Sequence, residues 1–324
     1  MEIEASAGFK RLTLLTIVFI YLVILAGGIV RGTGSGMGCP DWPRCFGQWV
    51  PPTHISQLPI NYKEKFKVGH RIIADFNAFK TWVEYTNRLL GVLVGILVFA
   101  VFIASVPYFK SSPAITYLSG GVFFLTGFQG WIGAKVVSSH LAQHMITIHM
   151  LIALVIVALV LLLFHKVSEH KDETKSVQGQ IILVLAVLTL GQVLLGTQIR
   201  QEIDTIAIRY NDQHRELWIQ ELGSNLIIHR IIAGIIVVLN TAYTLFVIKK
   251  AGLEATISKL MVAILVVFVA EYISGISMVR LEIPYLIQPV HLLLASTVFG
   301  LQIYAWLLAR PQKQINREGS LAIH

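Results

Sequence analysis

The sequence predicts an all-α integral membrane protein, with eight transmembrane helices forming two similar four-helix bundles related by an internal repeat. Composition gives the class: 55% of the 324 residues are hydrophobic, only 14% are charged, and the mean hydropathy is +0.69. A soluble domain has about 25% charged residues. Eight long apolar runs give the helix count, and polar residues that recur inside them at one fixed offset give the repeat.

Each apolar run is long enough to cross a bilayer as a helix, which takes about 20 residues. The runs are uniformly apolar rather than alternating, which favours helices over the strands of a membrane barrel. The first run is too long, and too poorly followed by a small-residue cleavage site, for a removed signal peptide. The predicted spans lie near 10–30, 88–108, 114–136, 145–165, 179–199, 226–248, 257–279 and 288–309.

The internal repeat has an offset of 142 residues (229 − 87 = 142). The recurring positions are Asn87-Arg88 and His229-Arg230, His149 and His291, and Gly133 and Gly275. The first and fifth predicted spans do not keep this offset, because the first outer loop is longer than the third. A parallel repeat of this kind places paired sites at equivalent depths in the membrane.

A polar segment, 166–178, is predicted to be a cytoplasmic linker between an N-terminal half, 1–165, and a C-terminal half, 179–324. The short loops at 108–113 and 249–259 are basic with few acids, which predicts that both termini face the cytoplasm. We attribute the net charge of +8 to the basic loops of a membrane protein rather than to a nucleic-acid partner.

Histidines inside the predicted spans indicate a heme protein. An intramembrane histidine is costly without a partner, and two on facing helices can hold a heme iron. His229 and His291 form such a pair, unless they are only a hydrogen-bonded interior pair. The equivalent positions of the first half are Asn87 and His149. Because asparagine is a poor axial ligand, this half is predicted to have an open or weak iron position, unless it has lost its heme.

Charged residues near these positions have two interpretations each. Glu84 lies one helical turn before Arg88. It either forms a surface ion pair with Arg88 or is a carboxylate that moves protons beside the iron site. Arg88 and Arg230 follow the ligand positions directly and are predicted to bind heme propionates, or to support the site. Glu271 lies inside a span, where acids are functional by default; a hydrogen bond to Gln192 or a buried serine is the structural alternative.

The outer loop, 31–84, is too long to be a simple connection and is predicted to be functional. It contains the only two cysteines of the chain, Cys39 and Cys45. Two nearby thiols outside the cytoplasm favour a disulfide, either structural or redox-active. Their spacing is not C-x-x-C-H, which argues against covalent attachment of a c-type heme.

Five sequence blocks together resemble the heme A synthase family, and the resemblance covers the whole chain. They are GSGMGCPDWPRCFG at 34–47, EYTNRLLG at 84–91, TIHMLIA at 147–153, IIHRIIAG at 227–234 and PVHLLLAS at 289–296. The resemblance implies an eight-helix protein of the cell (inner) membrane. It also implies oxidation of the C8 methyl group of heme O to a formyl group, which gives heme A for cytochrome oxidase.

The resemblance also implies roles for individual residues. These are His229 and His291 as ligands of a heme b, His149 in the first-half site where heme O reacts, Glu84 as the acid required for activity, and Cys39 and Cys45 as the outer-loop pair. Asn87 departs from the histidine that many members have. The implied partners are heme O, an unidentified electron donor that is a membrane protein or a quinol, and heme O synthase.

Two other functions remain open from the residues alone. A diheme b-type protein that oxidises a quinol would need two full bis-histidine sites, and Asn87 counts against such a site in the first half. A heme-handling transporter would fit duplicated four-helix halves, but it would not require histidines at ligand positions.

Overall fold

The computed structural model describes residues 5–68, 72–168, 177–210 and 213–310. Its regular elements in those ranges are helices, and isolated β-bridges also occur, for example between Cys45 and Gln48. The α-helices are α1 (Ala7–Gly32), α2 (Tyr62–Lys65), α3 (Ala78–Ser105), α4 (Pro113–Ser138), α5 (Gln143–Val167), α6 (Gly179–Arg209), α7 (Arg215–Glu221), α8 (Ser224–Ala251), α9 (Thr256–Arg280) and α10 (Ile287–Leu308).

Seven of the described helices are long and apolar enough to cross a membrane: α1, α3, α5, α6, α8, α9 and α10. The all-helical membrane class predicted from composition is therefore confirmed. Pro113–Ser138 is not among the seven, so the predicted count of eight spans stays a prediction. The predicted linker falls between α5 and α6, but residues 169–176 lie outside the described residues.

Two helices continue beyond their predicted spans. Helix α3 begins at Ala78, because the Asn77 side chain accepts a hydrogen bond from the Lys80 N–H at 3.0 Å and caps its first turn. Glu84 and Arg88 therefore lie well inside this helix rather than at its entry. Helix α6 continues to Arg209. Apolar runs mark where a helix meets lipid, whereas its backbone hydrogen bonds can continue through polar turns beyond that region.

Helix packing follows the same pattern in two groups of four helices. In the first group α1 packs against α3 and α5, and α4 packs against α3 and α5. In the second group α6 packs against α8 and α10, and α9 packs against α8 and α10. Helix α10 also packs against α1 and α5 and so connects the two groups.

Glycines let α1 approach α10 closely. A Cβ atom at Gly28 would lie 2.9 Å from Cβ of Pro289, and one at Gly32 would lie 2.7 Å from the carbonyl oxygen of Tyr285. Small residues four apart are a common way for membrane helices to pack. At this end of the bundle, which we call the loop end, Asp204 forms ion pairs with Arg31 and Arg200, each at 2.9 Å.

Candidate heme site

The outer loop folds over the loop end around a buried cysteine pair. The side chains of Cys39 and Cys45 lie against each other, and both are fully buried. They pack with Phe46, Leu58 and Tyr62 in an apolar cluster of the loop. The geometry is compatible with the predicted disulfide, and the bond itself stays a prediction.

We expect protein isolated without reductant and then denatured to show no free thiol, and to show two after reduction. Thiol labelling followed by mass spectrometry measures this directly. A Cys39→Ser variant is the matched control and should expose one free thiol before reduction. Two free thiols in unreduced wild-type protein would contradict the disulfide.

Glu84 ties the outer loop to α3. Its side chain is buried, with Oε2 accepting a hydrogen bond from the Cys39 N–H at 2.9 Å and Oε1 accepting one from Arg88 Nη2 at 2.5 Å. The ion pair considered from the i,i+4 spacing is therefore present, and it is buried rather than on the surface. A buried carboxylate of this kind holds the loop by charge-assisted hydrogen bonds.

Arg88 completes the attachment of the loop. Its Nη1 donates to the carbonyl oxygens of Asp41 at 2.7 Å and Arg44 at 3.0 Å, and its Nη2 also donates to that of Cys39 at 2.9 Å. Both terminal nitrogens are thus engaged by the loop and by Glu84. This geometry favours a supporting role for Arg88 over propionate binding. Arg230, at the equivalent position of α8, is exposed.

The Nδ1 atom of His291 on α10 contacts two groups of α9. It lies 2.8 Å from Ser274 Oγ and 3.2 Å from the carbonyl oxygen of Glu271, so Nδ1–H can donate to either oxygen. This leaves Nε2 to bind a metal, as in most metal-ligating histidines, whose other ring nitrogen donates to an oxygen. The carboxylate Oε1 of Glu271 lies 3.6 Å from this Nε2.

His229 on α8 is held by Gln192 of α6. The Gln192 Nε2 lies 3.0 Å from His229 Nδ1 and donates to the carbonyl oxygen of His229 at 2.8 Å. The Gln192 Oε1 is buried and has no hydrogen-bond partner among the described residues. His229 lies on α8 and His291 on α10, and both of these helices pack against α6 and α9. The pairing of the two histidines around one iron stays a prediction.

His149 on α5 has a related environment. The Gln129 Nε2 of α4 donates to the carbonyl oxygen of His149 at 2.8 Å. His149 Nδ1 and Gln129 Oε1 are both buried and lack partners in the described part of the chain. Asn87 Oδ1, on α3, is a third buried atom of this kind.

Asn87 also lines a cavity of about 280 Å³ between α1 and α3. The remaining lining residues are apolar or weakly polar: Ala26, Ile29, Phe79, Trp82, Val83 and Thr86. The Asn87 side chain therefore lies beside an otherwise apolar opening in the first group of helices.

A glycine of the preceding packed helix lies against every one of the four ligand positions. A Cβ atom at Gly133 would lie 3.4 Å from Cε1 of His149, and one at Gly196 would lie 3.4 Å from Cε1 of His229. A Cβ atom at Gly275 would lie 3.3 Å from Cε1 of His291. At the fourth position, a Cβ atom at Gly27 would lie 3.9 Å from Asn87 Oδ1. Each glycine leaves room for the edge of the ring or amide beside it.

Comparison with known proteins identifies the family. Residues 10–303 match the family model COX15-CtaA, described as cytochrome oxidase assembly protein. The chain belongs to the COX15-CtaA family.

Curated relatives of this COX15-CtaA family protein include several bacterial heme A synthases. It is 27% identical to that of Shewanella oneidensis over 186 residues, or 56% of this chain and 54% of the relative. The Shouchella clausii enzyme is 24% identical over 94% of this chain and 98% of its own length. The Bartonella tribocorum enzyme is 25% identical over 88% of this chain and 87% of its own length. The first alignment thus covers about half of its relative, and the other two nearly all.

Sequence reasoning about this family member missed the two glutamines. It considered Gln192 only as a partner of Glu271, and the structure has it on His229 instead. A signal was available, because Gln129 and Gln192 each precede a ligand-facing glycine by four residues, as does Glu271. That spacing puts the glutamine or glutamate and the glycine on one face of a helix, one turn apart.

Proposed function

We propose that this protein is a heme A synthase, which oxidises the C8 methyl group of heme O to a formyl group and so supplies heme A for cytochrome oxidase. The family match over residues 10–303 carries this proposal, together with three imidazoles and one amide at the four glycine-faced positions. The relatives named above bear the same activity in their names.

Eight membrane spans are proposed, with α4 as the eighth. Its 26 residues correspond to roughly 39 Å of helix, which is longer than the hydrocarbon core of a bilayer. It packs against α3 and α5, its neighbours in the chain, and both are candidate spans. A helix that connects two adjacent spans antiparallel to both must itself cross the membrane.

The two groups of four helices are proposed to be halves of an internal repeat. The same four helix-packing relations occur in each group, and the glycine contacts occur at equivalent positions. Helices α1 and α6 share a G-x-x-x-R pattern, Gly27 to Arg31 and Gly196 to Arg200, at an offset of their own. The difference between the two offsets follows from the longer outer loop.

The second half is proposed to hold a heme b through Nε2 of His229 and His291. The fit rests on the Nδ1 contacts described above, which leave Nε2 of His291 for a metal, and on the glycines beside both rings. A bis-histidine heme supplies one-electron transfer when bound. The protein's contribution is to fix both imidazoles and to keep water from the site.

The first half is proposed to bind the substrate heme O through His149, with Asn87 on the opposite face. The orphaned Oδ1 of Asn87 is a buried polar atom that a ligand would satisfy. The apolar cavity beside Asn87 gives the farnesyl tail an opening between α1 and α3. The outer loop, held by Glu84 and Arg88, closes this half from water, and the Glu84 carboxylate is the group available to accept a proton.

The protein is proposed to lie in the cell membrane with both termini in the cytoplasm. Basic residues at the end of α8, Lys249 and Lys250, support this orientation. The remaining partners are an electron donor, either a membrane protein or a quinol, and heme O synthase as the source of substrate.

Extraction of pigment from the purified protein, with a mass for each heme, tests this function. We expect heme b together with heme O or heme A. Two molecules of heme b per protein chain, with no other heme, would instead favour a diheme electron-transfer protein. The absence of any heme would refute the proposal.

Asn87→His should convert the first-half site toward bis-histidine ligation. The added imidazole would occupy the iron face that Asn87 leaves open, so we expect more low-spin heme in this half and weaker binding of carbon monoxide or cyanide. Absorption spectroscopy with ligand titration measures both. An Asn225→His variant, at the start of α8, is the control. If Asn87→His leaves spectrum and ligand binding unchanged, Asn87 does not face the iron.

A further inference from the structure

The ligand histidines of α5 and α8 share a contact that the heme proposal does not use. In each case a glutamine on the neighbouring helix donates through Nε2 to the carbonyl oxygen of the histidine at 2.8 Å. In each case the glutamine lies one helical turn before the glycine that packs against the imidazole. Two independent helix pairs therefore reproduce the same arrangement of glutamine, glycine and histidine.

Each glutamine also has one unused atom. Oε1 of Gln129 and Oε1 of Gln192 are both buried without a hydrogen-bond partner in the ranges the structure describes. A buried acceptor without a hydrogen-bond donor destabilises the folded protein. Because each Oε1 belongs to a glutamine that contacts a proposed ligand histidine, we expect it to accept a hydrogen bond from a donor that is present only when the metal is bound.

Metal ligation supplies that donor. When a neutral imidazole gives its Nε2 lone pair to a metal, its proton resides on Nδ1. The amide of Gln192 already lies 3.0 Å from His229 Nδ1, and Nδ1 of His149 is buried without a partner among the described residues. We expect each amide to turn so that Oε1 accepts from Nδ1–H while Nε2 keeps its carbonyl contact.

The third histidine has a different arrangement. At His291 the residue one turn before the glycine is Glu271, whose side chain cannot donate when ionised. Its backbone carbonyl and Ser274 Oγ take the Nδ1 contact instead. The His291 ring is thus held without an amide, so the glutamine arrangement is specific to His149 and His229 rather than a general feature of helix packing here.

We propose that Gln129 and Gln192 are positioning residues that orient the metal-binding imidazoles of His149 and His229 through a two-point contact to the histidine carbonyl and Nδ1–H. The inference rests on the heme ligation described under the proposed function. It assigns a role to two residues that touch neither heme nor substrate.

The test compares Gln192→Met with Gln198→Met in the full-length purified protein. Methionine keeps the volume of glutamine and removes both polar groups, and Gln198 is an exposed residue of the same helix. We expect Gln192→Met to bind the second-half heme about 10-fold to 100-fold more weakly, as for other partners of metal-ligating histidines, and to show altered ferric g-values by electron paramagnetic resonance. Gln198→Met should match the wild type.

Two further variants separate positioning from folding. Gln129→Met should change only the first-half heme and leave the second-half spectrum intact, which a general folding defect would not do. Gln192→Glu keeps an acceptor for Nδ1–H and makes it anionic, so the reduction potential of the second-half heme should fall. If the Gln192→Met protein cannot be purified in folded form, the reduction potential of the Gln192→Glu protein tests the proposal by itself.

The inference is overturned if wild-type protein holds the low-spin heme and Gln192→Met or Gln192→Glu leaves heme affinity, g-values and potential unchanged. Wild-type protein that holds no low-spin heme is a distinct result, because it removes the heme site of the proposed function itself.

Discussion

Glu84→Gln should abolish the conversion of heme O to heme A while leaving the second-half heme bound. The substitution removes the negative charge that faces Arg88, and with it the carboxylate that is proposed to accept a proton in the first half. Loss of a general acid or base lowers rates by about 10²–10⁴-fold. The amide also presents a donor to either the Cys39 N–H or Arg88, so the outer loop is held less well.

Glu64→Gln is the matched control, because Glu64 is an exposed carboxylate of the same loop. It should keep wild-type turnover. Conversion of heme O is followed by extraction and chromatography, and the second-half heme by its low-spin absorption. Full activity in Glu64→Gln and in Glu84→Gln alike would show that Glu84 only anchors the loop as an ion pair.

His229→Leu and His291→Leu should each abolish the low-spin six-coordinate spectrum of the second half. With one imidazole gone, the iron keeps a single protein ligand. Mutation of a ligand's hydrogen-bond partner typically weakens metal binding about 10-fold to 100-fold, and loss of the ligand itself should weaken heme binding more than that. Both rings lie against a glycine and are held at Nδ1, so neither can be replaced by a neighbouring histidine without moving a helix.

His54→Asn serves as the control for these variants, since His54 lies in the outer loop and caps a short helical turn. His149→Leu should spare the second-half spectrum and remove heme from the first half. An unchanged low-spin spectrum in both His229→Leu and His291→Leu would refute the ligand assignment.

The sequence was sufficient for the membrane class, because long apolar runs without alternation leave helices as the only spanning structure. It also predicts that His229 and His291 form a paired site, since polar positions that recur at one offset inside such runs are typical of a duplicated bundle, and this pairing stays a prediction. The i,i+4 spacing of Glu84 and Arg88 correctly raised an ion pair. Burial of that pair depends on the outer loop, whose fold no periodicity predicts.

The remaining parts of the site depend on contacts between distant residues. The attachment of Arg88 to the carbonyls of Cys39, Asp41 and Arg44 requires the loop conformation. The contact of Gln192 with His229 requires the packing of α6 on α8. Helices α3 and α6 extend beyond the predicted spans, to Ala78 and Arg209, because hydropathy follows lipid contact rather than backbone hydrogen bonding.

The most direct measurement of the proposed function uses a host membrane that makes heme O but no heme A. The full-length chain is expressed there, and extracted hemes are separated and weighed by mass spectrometry, with Glu84→Gln beside it. We predict a new heme with a formyl group in place of the C8 methyl group, present with the wild type and absent with Glu84→Gln. Heme O that persists unchanged beside a folded, heme b-containing wild-type protein would contradict the assignment as a heme A synthase.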